Sequence, residues 1–106
     1  MKKNLLNKRL KKIYKQDIYM GSDFNDAVDY VNKIKDNVVV TDLIKEQLYG
    51  LFKRITVGKC SEKGGTRPMF YNVIGQRKYD SWMKYDNKEV EKCIQEYIAI
   101  VNSFRL

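Results

Sequence analysis

Val90, Cys93, Ile94, Tyr97, Ile98, Val101 and Phe104 recur at intervals of three and four residues, so a helix over this stretch carries them all on one face. A stripe that continuous predicts an amphipathic helix and obliges the rest of the chain to supply an apolar partner for it. Three other segments are suited to that task. Ser22 or Asp23 starts a first helix whose inner face is Phe24, Ala27, Val28, Val31 and Ile34, with Asp23 and Asp26 near the positive end of its dipole and Asp36-Asn37 at its end. Thr41 or Asp42 caps a second helix that runs to about Thr56, turns Ile44, Leu48, Leu51 and Ile55 inward and stops at Gly58. A third is expected over Val73 to Lys84, and the fourth starts at Asp86, with Glu89 three residues on as in a capping box. Val38-Val39-Val40 is β-branched but too short for a strand and has no partner run, so it reads as an extended, partly buried connector. Four amphipathic helices make an all-α bundle, and 106 residues make one domain, residues 22–106.

Residues 1–21 stand apart. Seven Lys and Arg precede Asp17 as the lone carboxylate of residues 1–19, a net charge of +6 out of +8 for the whole chain. Leu5, Leu6, Leu10, Ile13 and Tyr14 fall at helical spacing among these cations, which predicts a basic amphipathic N-terminal extension: either a solvated tail or one attracted to anionic membranes. The remaining residues are close to charge balance, which argues against a nucleic-acid-binding domain despite the basic total. No run of about 18 apolar residues is present to span a bilayer, and no secretory signal is recognisable, so a cytoplasmic location is expected. The chain has no histidine, which removes Ser-His and Cys-His nucleophiles and the commonest zinc ligand. Cys60 and Cys93 read as reduced thiols, Cys93 in the core and Cys60 exposed in the polar loop from Lys59 to Pro68. A binding protein, not an enzyme, is the expectation.

One cluster suggests what is bound. Tyr49, Phe52 and Lys53 lie three and four residues apart in the second helix, and Lys78 and Trp82 are similarly related in the third. A flat aromatic, a hydroxyl and flexible cations suit a planar base carrying a phosphate. The same residue types also occur as ordinary core tyrosines and solvated lysines. Trp82 reads as core packing.

Longer motifs add to this. Tyr49-Gly50-Leu51-Phe52-Lys53-Arg54-Ile55-Thr56-Val57-Gly58, then Arg67-Pro68, then Lys78-Tyr79-Asp80-Ser81-Trp82, then Tyr97-Ile98 closely resemble the acyl-CoA-binding protein family over about residues 22–104. The resemblance implies an up-down-down-up four-helix bundle and a long-chain fatty acyl-CoA as ligand, with no cofactor and no metal. It implies a site drawn from Asn32, Tyr49, Leu51, Phe52, Lys53, Ile74, Lys78 and Tyr97. Phe52 would stack on the adenine, Lys53 and Lys78 would neutralise the 3′-phosphate, the Tyr49 hydroxyl would donate to it, and Tyr97 would close the nucleotide side. It further implies a monomeric carrier that delivers its ligand to acyl-CoA-using enzymes. The chain departs from the family pattern at Arg54 and Ile55, at Asn32 and Ile74 where the family has basic residues, and at the valine run where it has a proline. A nucleic-acid-binding helical domain and a membrane-surface adaptor driven by residues 1–19 remain the alternatives.

Overall fold

The structure, a computed structural model, describes residues 23–36 and 40–105; the expected N-terminal helix, the Ser22 cap, Asn37 and the first two valines of the connector lie outside the described residues. Among the described residues five helices follow one another: α1 (Phe24–Ile34), α2 (Asp42–Thr56), the single turn α3 (Cys60–Lys63), α4 (Val73–Met83) and α5 (Val90–Phe104). The described part is an all-α helical bundle. No described helix is long and apolar enough to cross a membrane.

Each boundary has a local cause. The Thr41 hydroxyl accepts from the Ile44 amide at 3.2 Å and opens α2, so Thr41 is the cap and Asp42 the first helical residue. At the other end the Val57 and Gly58 amides both return to the Lys53 carbonyl, and Gly58 leaves the helix at φ 127°, a backbone state that a side chain would resist. The Asn72 side chain accepts from the Gly75 amide at 3.0 Å and starts α4. Two expected starts differ. Asp23 sits at the head of α1 without any side-chain capping bond. The last helix begins at Val90 with Glu89 at its cap position and likewise uncapped, because Asp86 instead accepts from the Ser61 amide at 3.1 Å and tethers α3.

The core is the sum of the inward stripes. Phe24 and Ala27 of α1, Leu48, Leu51 and Ile55 of α2, and Cys93, Ile94, Tyr97 and Val101 of α5 form one buried cluster, with Tyr85 from the turn after α4. Phe24 meets the edge of Tyr97 at 5.0 Å, and Tyr30 stacks near Phe104 at 6.4 Å, so α1 and α5 advance together and run parallel. Val40 is buried, as a connector crossing the end of the bundle should be.

The second parallel pair is α2 and α4. Glu46 meets Arg77, Tyr49 meets Lys78, Gly50 abuts Ser81, and Arg54 reaches the Tyr85 carbonyl; both sequences climb in step. Parallel neighbours need a connection that returns the chain along its own length, about 22 Å for a 15-residue helix. Residues 57–72 supply it, and α3 packs within it against α4.

That return also corrects the reading of Cys60. The thiol is fully buried, with its sulfur 3.8 Å from the Tyr79 carbonyl. A single helical turn is too short to show an apolar repeat, and its Ser-Glu-Lys-Gly-Gly surroundings read as loop. Burial holds the Cys60 thiol above its ordinary pKa, so it stays protonated and unreactive near neutrality.

Gly50 makes the tightest helix contact. A Cβ there would lie 2.2 Å from the Ser81 carbonyl oxygen and 3.0 Å from the Tyr85 ring. The obstacle is backbone, which cannot step aside as a side-chain tip could. Replacing an interior glycine by alanine gains up to about 1 kcal/mol of helix propensity, whereas overpacking costs about 1–3 kcal/mol. Gly50→Ala is therefore expected to lower the urea midpoint, and an increased midpoint would show that α2 and α4 can part freely.

Candidate functional site

Side by side and parallel, α2 and α4 bring together residues far apart in sequence. The Lys78 ammonium lies 5.3 Å from the centroid of the Tyr49 ring. One turn further, the Lys53 ammonium lies 4.8 Å from the Trp82 ring. Trp82 is buried, with its indole N–H donating to the Gly58 carbonyl at 2.8 Å, so the ring under Lys53 is fixed at both its packing and its polar edge. A cation resting on an aromatic face keeps its whole charge. Each of the two lysines thus rests on its own aromatic ring, one turn apart along the α2–α4 seam.

A hollow opens on either side of the Tyr49–Lys78 contact. One, of about 240 Å³, is bounded by Asp42, Lys45, Glu46, Ile74 and Arg77 as well as that pair. The other, also about 240 Å³, runs over Pro68, Gly75, Tyr79 and Trp82. Ile74 puts a strongly exposed apolar side chain at the rim of the first. Arg77 is drawn to Glu46 at 2.6 Å. Half-buried Tyr49 keeps its phenol protonated, because burial, with a smaller contribution from Cys60, raises its pKa. A protonated phenol can donate a hydrogen bond to an anion; a phenolate could not. The arrangement offers ammonium groups and a phenol hydroxyl to an anion and the exposed Ile74 side chain to an apolar group. It offers no nucleophile paired with a base.

The expected site residues divide into groups. Tyr49 and Lys78 line both hollows and Ile74 the first, whereas Lys53 lines neither and reaches the second only through the Trp82 ring beneath it. Phe52 turns the other way round α2, toward α1, where its ring stacks near Phe24 at 6.3 Å and an interplanar angle of 23°. It is half-buried against the core and so is shared between scaffold and surface, where the spacing predicted a ring devoted to the ligand face. Leu51 is fully buried and has no surface to offer a ligand; its place in the inward stripe overrides its place in the expected site. Tyr97 is 3% exposed, with its ring packed by Phe24, so it is first a core residue and at most its hydroxyl edge could be reached. Asn32 is exposed on α1 and lines neither hollow. Lys45 and Tyr79 were missed. The run Lys45, Tyr49, Lys53, with a step of four, marks one face of α2 and would have found the first of them.

The sequence pattern of the family described as Acyl CoA binding protein matches residues 21–101. The chain belongs to the acyl-CoA-binding protein family. It is 30% identical over 82 residues to an acyl-CoA-binding protein of Ricinus communis, covering 77% of this chain and 86% of that one. It is 30% identical over 84 residues to acyl-CoA-binding domain-containing protein 6 of Danio rerio, covering 79% of this chain but spanning only 26% of that longer relative. The crystal structure of acyl-CoA-binding protein 2 of Oryza sativa superposes with a TM-score of 0.66 at 27% identity, over 76% of this chain and 84% of that one. An acyl-CoA-binding fold accordingly frames the groove between α2 and α4.

Tyr97 connects this site to stability. Burial pushes its phenol up to about 12, as it does for Tyr85, whose hydroxyl is buried without a hydrogen-bond partner. An unfolded tyrosine titrates near 10. With the folded pKa raised, the contribution is complete below about pH 10 and is lost as pH climbs from about 10 to 12. Denaturant midpoints measured across that window are expected to fall more steeply for the parent than for Tyr97→Phe. Parallel curves would mean that the Tyr97 phenol is already ionisable in the folded state.

Proposed function

We propose that this chain binds long-chain fatty acyl-CoA thioesters without making or breaking a bond, buffering them and carrying them to enzymes that use them. The observation that carries this reading is the pair of lysines, Lys53 and Lys78, on the aromatic floor of Tyr49 and Trp82 beside an apolar-rimmed groove, in a member of this family. In the proposed complex the two ammonium groups take the 3′-phosphate, the Tyr49 hydroxyl donates to it, and the exposed part of Phe52 meets the adenine. Ile74 stands where the family has a basic residue and borders the acyl chain or the pantetheine. Asn32 and the Tyr97 hydroxyl complete the nucleotide side only if the ligand draws them in. Acyl-CoA is a ligand here and not a resident cofactor.

The same reading extends to the whole molecule. Residues 22–106 act as the binding domain in an up-down-down-up arrangement, which the parallel α1–α5 and α2–α4 pairs support. We take the carrier to be cytoplasmic and monomeric, with residues 1–21 as an extension outside the binding domain.

Calorimetric titration with CoA, a short acyl-CoA and palmitoyl-CoA tests the reading. Each buried methylene contributes about 0.8 kcal/mol, so affinity should climb with chain length. Equal affinity for CoA and palmitoyl-CoA would defeat the proposal. Lys53→Ala and Lys78→Ala are each expected to cost about 1.5–3 kcal/mol of binding, the worth of a hydrogen bond to a charged group. Neither should move the melting temperature much, and dephospho-CoA esters should be insensitive to both changes.

A further inference from the structure

The segment from Met69 to Ile74 carries an apolar surface of which the groove accounts for Ile74 alone. Met69, Phe70, Tyr71, Val73 and Ile74 are 59%, 78%, 73%, 56% and 69% exposed, five of six consecutive residues. Phe70 and Tyr71 meet edge to face at 5.6 Å and form a common ledge. The ledge has a fixed base: the Asn72 amide donates to the Met69 carbonyl at 2.9 Å, and the Gln76 side-chain amide donates to the Pro68 carbonyl at 3.0 Å. Single exposed apolar residues are ordinary, but a contiguous aromatic ledge marks a surface that meets something.

We infer that the Met69–Ile74 ledge seats this protein on the surface of anionic phospholipid membranes. The charge around it identifies the occupant. Between Glu62 and Asp80 the chain has Lys63, Arg67, Arg77 and Lys78 and not one carboxylate. Arg67 is paired with Asp80 and Arg77 with Glu46, and in the hollow beside Ile74 the charge of Lys45 balances that of Asp42, so the surplus positive charge rests with Lys63 and Lys78. Phenylalanine, tyrosine and methionine rimmed by cations match the boundary between acyl chains and anionic headgroups, where aromatic bodies bury and lysines meet phosphate. A second copy is a poorer occupant, because it would bring together two rims that each carry Lys63 and Lys78. The ledge ends at Ile74, which also lines the groove, so a seated molecule would hold the groove mouth at the lipid surface. The inference stands whether or not the groove takes acyl-CoA.

Flotation of the full chain, free of ligand, with vesicles of phosphatidylcholine alone or mixed with phosphatidylserine is the test. The parent should float with the mixed vesicles, and Phe70→Ser/Tyr71→Ser should lose at least about tenfold in partitioning, given the burial of two aromatic rings. Its melting temperature should be unchanged, since neither ring supports the core. Phe70→Trp gives an independent reading: its emission should shift to the blue on mixed vesicles, above the fixed background of buried Trp82. Absence of flotation by the parent, equal flotation by the double variant, or an unshifted Phe70→Trp spectrum would each overturn the proposal. Equal flotation would assign the attraction to residues 1–21. Sedimentation showing a dimeric parent, a monomeric double variant and no vesicle binding would overturn it in favour of self-association.

Discussion

The approach of Gly50 to the Ser81 carbonyl is the contact on which the site depends. With no side chain on α2 at that point, the two helices touch backbone to backbone, and their separation and register are set together. Every useful pair then falls into place on one side or the other of the contact. Arg77 reaches Glu46 and Lys78 reaches Tyr49 on one side; Lys53 covers Trp82 and Arg54 meets the Tyr85 carbonyl on the other. A larger residue at position 50 would widen the crossing and loosen all of these at once.

Arg54 and Ile55 show how a departure from the family pattern is absorbed. The Arg54 guanidinium donates from Nε to the Tyr85 carbonyl at 3.2 Å, satisfying a backbone acceptor in the turn that follows α4. Ile55 is buried in the main cluster and adds apolar area where a smaller residue would leave space. Neither change intrudes on the lysine floor. The residues on the lysine floor and the residues that support it are therefore separated even where they alternate along the same helix.

That separation is incomplete at one junction. Phe24 touches both Phe52 and Tyr97, so the aromatic group that joins α1 to the bundle also reaches the edge of the surface. A ligand stacking on Phe52 would lean on a ring already held by the core. Such support favours a preformed binding face, because the ring loses little freedom on binding. It also means that shortening Phe52 would disturb both fold and surface.

How much was legible depends on the range of the interaction. Helical spacing identified the apolar faces of α1, α2 and α5, because a helix displays its buried face as a local repeat, whereas α4 buries Trp82 alone and shows no such repeat. The motifs around Tyr49, Lys78 and Tyr97 placed the family. Local pattern could not reveal that Cys60 is buried, since one turn of helix is too short to show a period and its burial comes from packing on α4. Asp86 was equally misleading: its side chain suited a cap, but the Ser61 amide lay closer in space. Phe52 was assigned to a ligand face by helical spacing and Leu51 and Tyr97 by sequence correspondence, whereas their exposure is decided by which helix lies beside them. The amino-acid sequence by itself determined the four longer helices and the apolar faces of α1, α2 and α5, all of which follow from neighbouring residues. Only the tertiary structure decided which cations rest on which rings and which aromatics remain reachable, because those depend on the distance and register of two helices whose contact at Gly50 and Ser81 joins residues 31 positions apart.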